Sequence, residues 1–108
     1  MAPPALSFAT REALELLGTS IRAGRLRRRW TIRDLAERVG VSHVTITKVE
    51  RGDPGVALGT ALEAATLVGL PLFHPDADTR ARELERRRTE LALLPSRARE
   101  MGPMDDDY

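Results

Sequence analysis

With 108 residues, 42 % of them hydrophobic, the chain has the length of one domain and enough apolar surface for a modest core. Few aromatic residues and no Val/Ile/Tyr-rich runs argue against a sheet protein, and the absence of cysteine excludes a disulfide framework and thiolate chemistry. The net charge of +1 points to no partner, but its distribution does: residues 20–52 carry nine basic and three acidic side chains, while residues 53–108 carry seven arginines and eleven acids. Charge segregated in this way implies one surface for phosphate and another surface for something else.

Residues 1–9 read as a disordered, proline-rich N-terminus. Met1-Ala-Pro-Pro shows no basic region followed by an apolar stretch, so no secretory signal is expected, and no apolar run is long enough for a membrane span. Leu14, Leu17 and Ile21 recur at helical spacing and predict a helix from Thr10 to Arg29. Gly18 and Gly24 weaken that helix and predict a kink or a break.

The clearest signals lie in residues 31–52. Thr31 and Asp34 are spaced as a capping box, Trp30 and Leu35 as the hydrophobic staple around it, and Gly40 as the left-handed end of the helix. Ser42 then caps a third helix, with Val41 and Ile46 as a second staple, and Gly52-Asp53-Pro54-Gly55 stops it. Two short capped helices joined by a tight turn form the layout of a helix-turn-helix, whose second helix enters the major groove of DNA. An apolar fourth helix follows from Ala57 to Val68, closed by Gly69. A charged fifth helix is expected over 76–94, with Ala77, Ala81, Leu84 and Leu91 as its apolar stripe, and a flexible acidic tail over 95–108.

At about 100° per residue the third helix divides into two faces. Ile46, Val49 and Glu50 point to the core, and His43, Val44, Thr47, Lys48 and Arg51 point outward. An ordinary solvated helix with one stray valine fits this pattern, but the flanking caps and turn favour a recognition helix. There Val44 meets a thymine methyl, His43 and Lys48 donate to guanine N7 and O6, and Thr47 reaches a base edge. Ser42 and the first free N–H groups suit a phosphate. The arginines Arg27, Arg28 and Arg29 fit either phosphate contact or a solvated helix end, and the first helix of such a motif crosses the DNA backbone. Glu50 on the inner face needs a cationic partner, and Arg25 is expected to form a structural ion pair with it. His43 and His74 stand alone, without cysteine or a second histidine at ligand spacing, so no metal and no cofactor is expected. No arrangement of Ser, His and Asp marks a nucleophile with its base, and no enzyme activity is expected.

These residues resemble a known family. Leu17-Gly-Thr-Ser-Ile-Arg-Ala-Gly-Arg25, the block Thr31 to Gly52, and Leu58 to Leu70 look like the Xre/Cro-repressor class of helix-turn-helix proteins. The resemblance implies an all-α fold: a five-helix repressor-like (lambda/Cro-type) helix-turn-helix domain with an additional C-terminal helix or tail. The DNA-binding domain is placed at 10–75. The resemblance further implies base contacts from His43, Val44, Thr47 and Lys48, the Arg25–Glu50 pair, and a homodimer on an inverted-repeat operator in double-stranded DNA. Expected phosphate contacts are Ser42, Arg33, Arg27, Arg28, Arg29 and Arg51. Two departures stand out. Ile32 replaces the polar phosphate anchor that often opens the second helix, so Arg33 is expected to serve instead, and Ala57 replaces the serine that often caps the fourth.

A narrower resemblance rests on Gly52-Asp-Pro-Gly-Val-Ala-Leu-Gly-Thr60, on Leu94-Pro-Ser-Arg-Ala-Arg99 and on an acidic tail ending in an aromatic. These look similar to HipB-like antitoxins, which implies a repressor of its own operon that also binds a HipA-like kinase toxin. Two other readings stay open: a free-standing Xre-type regulator, and a protein-interaction adaptor without specific DNA binding. The acidic C-terminal half and the tail around Met101–Tyr108 motivate the adaptor. A cytoplasmic, nucleoid-associated location is expected for the regulator.

Overall fold

The computed structural model describes residues 5–98, so the expected tail is described only as far as Ala98 and the expected disordered N-terminus only from Ala5. Among the described residues there are five helices and no strand: α1 (Phe8–Arg27), α2 (Ile32–Val39), α3 (His43–Glu50), α4 (Leu58–Leu67) and α5 (Ala77–Ala92). The chain divides into two units, Met1–Leu72 and Phe73–Tyr108.

α1 starts earlier than expected. The Ser7 hydroxyl accepts the Thr10 N–H at 3.2 Å, so Phe8 and Ala9 belong to the helix rather than to a disordered end. The helix also stops earlier than Arg29. Arg29 N–H donates to the Leu26 carbonyl at 2.9 Å and Trp30 N–H to the Arg25 carbonyl at 3.2 Å, while Arg29 holds φ at 60°. This is the Schellman ending with arginine in the left-handed position that glycine normally takes, a conformation that costs about 1–2 kcal/mol. Without the glycine, the stop is invisible in the sequence.

Gly18 and Gly24 do not break α1, which is one continuous helix. They are its contact points. A Cβ at Gly18 would sit 2.6 Å from the carbonyl oxygens of Val49 and Glu50, and one at Gly24 would sit 2.9 Å from Val68 Cβ. Glycine lets α1 lie against α3 at one place and against the end of α4 at the other.

α2 opens with the capping box. Asp34 N–H donates to the Thr31 hydroxyl at 3.0 Å, and Thr31 N–H donates to the Asp34 carboxylate at 2.8 Å. Hydrogen bonds from the Thr31 backbone N–H and from its side chain hold the Asp34 carboxyl below its ordinary range. Gly40 ends α2 at φ 86°, and Ser42 opens α3 by accepting the Thr45 N–H at 3.2 Å. α3 closes as α1 does, with Gly52 N–H on the Val49 carbonyl and Asp53 N–H on the Lys48 carbonyl, both at 3.0 Å. α4 begins at Ala57 with no side-chain cap, and it spans Leu58–Leu67, slightly shorter than expected.

α1 and α2 each pack against both α3 and α4. Ile21, Leu35 and Ile46 are fully buried at the centre, joined by Ala36, Val49, Ala64, Ala65 and Val68. Each of the three large side chains contributes about 1.5–3 kcal/mol through burial. Leu17, Trp30, Val41 and Leu70 pack around this cluster.

The second unit is built differently. Asp76 caps α5 by accepting the Thr79 N–H at 2.9 Å, and the Thr79 hydroxyl and N–H hold the Asp76 carboxyl low. Glu83 accepts from Arg86 at 2.7 Å and from Arg87 at 2.9 Å, which lowers the Glu83 carboxyl as well. α5 buries no residue, and Leu84 and Leu91 of its apolar stripe are 51 % and 68 % exposed. Among the described residues, no helix is long and apolar enough to cross a membrane.

Candidate nucleic-acid interface

α2, the connection through Val41 and α3 form a helix–turn–helix held by its own caps and by its contact with α1. Ile46 and Val49 point into the core and are buried, and the Glu50 side chain is 7 % exposed. Arg25 of α1 reaches Glu50 as a fork: Nε to Oε2 at 2.7 Å and Nη2 to Oε1 at 3.0 Å. The third arm, Nη1, donates to the Trp30 carbonyl at 2.9 Å. Buried beside a carboxylate, the guanidinium is held charged even more firmly than usual; the Glu50 hydrogen bonds outweigh desolvation. One side chain thus ties the end of α3 to the junction of α1 and α2.

The opposite face of α3 is open. His43, Val44 and Lys48 are exposed, with Val44 at 50 %. Thr47 is half-buried, and its hydroxyl donates to the His43 carbonyl at 3.1 Å. Its proton is therefore spent inside the helix, and the oxygen remains as an acceptor. The Ser42 hydroxyl is engaged at the cap with Thr45.

The arginines divide into two groups. Arg28, named with Arg27 and Arg29 as a phosphate contact, has a task inside the fold: one guanidinium nitrogen donates to the Val68 carbonyl at the end of α4. It also stands 5.6 Å from the centre of the Trp30 ring. Arg38 stands over the same ring at 4.1 Å, a cation–π contact that nothing in the sequence spacing signalled. Among the described residues, Arg27, Arg29, Arg33, Lys48 and Arg51 have no ion-pair partner. Arg33 is exposed in the first turn of α2. Arg51 lines a shallow cleft with Arg11 and Glu15 of α1, and Arg11 was not foreseen as its neighbour.

A buried, ion-paired scaffold that presents the outer face of a short helix, with cations on the same unit that have no ion-pair partner among the described residues, fits a helix-turn-helix DNA-binding regulator. The chain belongs to the helix-turn-helix domain family, whose model matches residues 16–76. The match covers α1 from Leu16, the whole of α2 to α4, and the segment to Asp76. Neither the curated proteins nor the solved structures gave a match to the chain.

Proposed function

We propose that this chain is a sequence-specific transcriptional repressor that binds double-stranded DNA as a homodimer. The observation that carries the reading is the division of α3. Its inner residues are fully committed to the core and to Arg25, whereas His43, Val44 and Lys48 are exposed to solvent. An apolar side chain held out on a rigid, doubly capped helix is suited to a thymine methyl in the major groove. His43 and Lys48 donate to guanine N7 and O6, and the Thr47 oxygen accepts from a base amino group. Arg27, Arg29, Arg33 and Arg51, with Ser42 at the helix start, hold phosphates and fix the register without reading sequence. Arg28 contributes only the donors left over from Val68. Two such units on an inverted repeat place their α3 helices about 34 Å apart, one turn of DNA. The role needs no catalysis and no cofactor, and its place is the cytoplasm, on the nucleoid.

The test is fluorescence anisotropy on the DNA upstream of the chain's own gene, against a scrambled duplex at two salt concentrations. The reading expects a preference of about a thousandfold or more for the native sequence. Equal, weak binding to both duplexes would overturn it.

The finer reading is an antitoxin of a HipBA-like pair, repressing its own operon and holding a HipA-like kinase toxin. Its support is the sequence likeness in Gly52–Thr60 and in Leu94–Arg99. Co-expression with a neighbouring kinase gene tests it: the reading expects a stable complex that still binds DNA. Specific DNA binding without any such complex would leave a free-standing Xre-type regulator, and a complex without specific DNA binding an adaptor.

A further inference from the structure

α1 extends beyond the part of the chain that the family model matches. The match begins at Leu16, whereas the helix begins at Phe8. Two close approaches hold the front half of α1 against the end of α3. A Cβ at Gly18 would meet the carbonyl oxygens of Val49 and Glu50 at 2.6 Å, and a Cβ at Gly52 would meet the backbone of Leu14 and Glu15 at 2.9 Å. Positions 11, 14, 15 and 18 share one side of a helix. Arg11 therefore stands on that same side, one turn before Leu14 and Glu15. It lines a shallow cleft of about 570 Å³ together with Glu15, Arg51 and Pro54.

Among the described residues, the side chains of Arg11 and Arg51 make no ion pair and no hydrogen bond. Arg11 lies in the first turn of α1, at the positive end of the helix dipole, where a cation is disfavoured. Helix stability thus gives no reason for an arginine there. Arg51 is the C-cap of α3 and continues the line of Val44, Thr47 and Lys48 on its outer face. The first residues of a recognition helix meet base edges, so its far end and whatever adjoins it meet the backbone at the groove wall. Arg11 adds a second guanidinium at that end. Within the cleft the two guanidiniums stand against a single carboxylate, that of Glu15.

We propose that Arg11 is a phosphate-contacting residue, and that with Arg51 it makes the cleft between α1 and the end of α3 a seat for the DNA backbone. This contact rests on the DNA reading above and adds to it a cation from outside the matched domain. It is read from salt-dependent binding to any duplex, so it and the claim of sequence specificity fail separately.

The experiment is fluorescence anisotropy of the full chain and its variants on the upstream and the scrambled duplex, over a series of chloride concentrations. The single tryptophan, Trp30, reports by its fluorescence that each variant is folded. Arg11→Gln is expected to weaken binding to both duplexes by the same factor, roughly tenfold. It is also expected to lower the slope of log affinity against log salt by about one. Arg11→Lys keeps the charge and is expected to keep the slope. Glu15→Gln removes the carboxylate that repels a phosphate and is expected to strengthen binding to both duplexes about threefold. An Arg11→Gln variant that binds as the wild type does, or a Glu15→Gln variant that binds more weakly, would overturn the proposal. So would a loss confined to one duplex, which would make Arg11 a base-reading group. Replacing chloride by inorganic phosphate at equal ionic strength separates the backbone from the free ion. A loss of DNA binding that the wild type shows and Arg11→Gln does not would assign the cleft to free phosphate and overturn the proposal. Equal binding of the wild type to both duplexes, with the expected response to Arg11→Gln, would refute the specific repressor and leave the cleft standing. A chain that binds neither duplex would overturn both.

Discussion

Each of the two units holds a forked arginine–glutamate pair. In the first unit Arg25 grips Glu50 at 2.7 and 3.0 Å, and in the second Arg86 grips Glu83 at 2.7 and 3.1 Å. The geometry is nearly the same; the surroundings are not. The Arg25 and Glu50 side chains are each 7 % exposed, whereas those of Arg86 and Glu83 are 64 % and 44 % exposed. Water takes over from a partner lost in the second pair but not in the first. The contrast extends to whole units. The first is specified from inside, by core, close helix approaches and a buried charge. The second is specified along one helix, by a cap and by neighbouring charges, and its apolar stripe faces outward.

The largest expected effect separates the two pairs. Glu50→Ala leaves the Arg25 guanidinium buried without its acid and is expected to cost about 3–5 kcal/mol, which for a domain of this size approaches global unfolding. Arg86→Ala is expected to leave stability nearly unchanged, because water replaces the lost partner. Thermal denaturation followed by circular dichroism measures both, and equal losses would abolish the distinction. Next in size is Gly18→Ala. In an open helix alanine would gain about 0.5–1 kcal/mol over glycine. At Gly18 the new Cβ would collide with the carbonyl oxygens of Val49 and Glu50, and the expected outcome is instead a loss of about 1–3 kcal/mol. A gain in stability would mean that α1 and α3 do not lie so close.

The smallest effect is acid sensitivity at the caps. Asp34, Asp76 and Glu83 are all held below their ordinary range: Asp34 by Thr31, Asp76 by Thr79, and Glu83 by Arg86 and Arg87. A carboxyl with a lowered folded value stabilises the fold above its unfolded value, about 4, and loses that contribution as pH falls through the folded value. Stability is therefore expected to be flat in this respect above about pH 5 and to decline below it. Two of the three groups cap or brace α5, so the helix signal should fall there before Trp30 fluorescence changes. Melting that sets in first at the core would contradict the division between the units.

The caps were the most legible part of the fold. Thr31 with Asp34, Gly40, and Ser42 carry local signals that need no tertiary knowledge, and the structure holds each in its expected role. The Arg25–Glu50 contact was legible for a different reason: an acid on the inner face of a helix needs a buried cation, and the family resemblance implies the same partner. What the sequence concealed depended on the third dimension. Gly18 and Gly24 read as helix weakeners, because propensity does not record that another helix lies against them. Arg29 hid the end of α1, because its left-handed backbone is imposed by the ending itself and not advertised by a glycine. Arg28 read as one more surface cation, yet it reaches the carbonyl of Val68, forty positions along the chain. Arg38 over Trp30 escaped notice because no periodicity joins them.

The proposed division of labour has the outer face of α3 reading bases while arginines on the same unit hold the backbone. Its most direct test is competition binding of Lys48→Ala, His43→Ala and Arg27→Ala on the operator and on its single-base variants. Lys48→Ala and His43→Ala are each expected to lose about 1–3 kcal/mol of discrimination at particular base pairs. Arg27→Ala should weaken every sequence alike and reduce the salt dependence by about one counterion. If Lys48→Ala and His43→Ala instead lowered affinity uniformly, with base preference intact, α3 would not be the reading element.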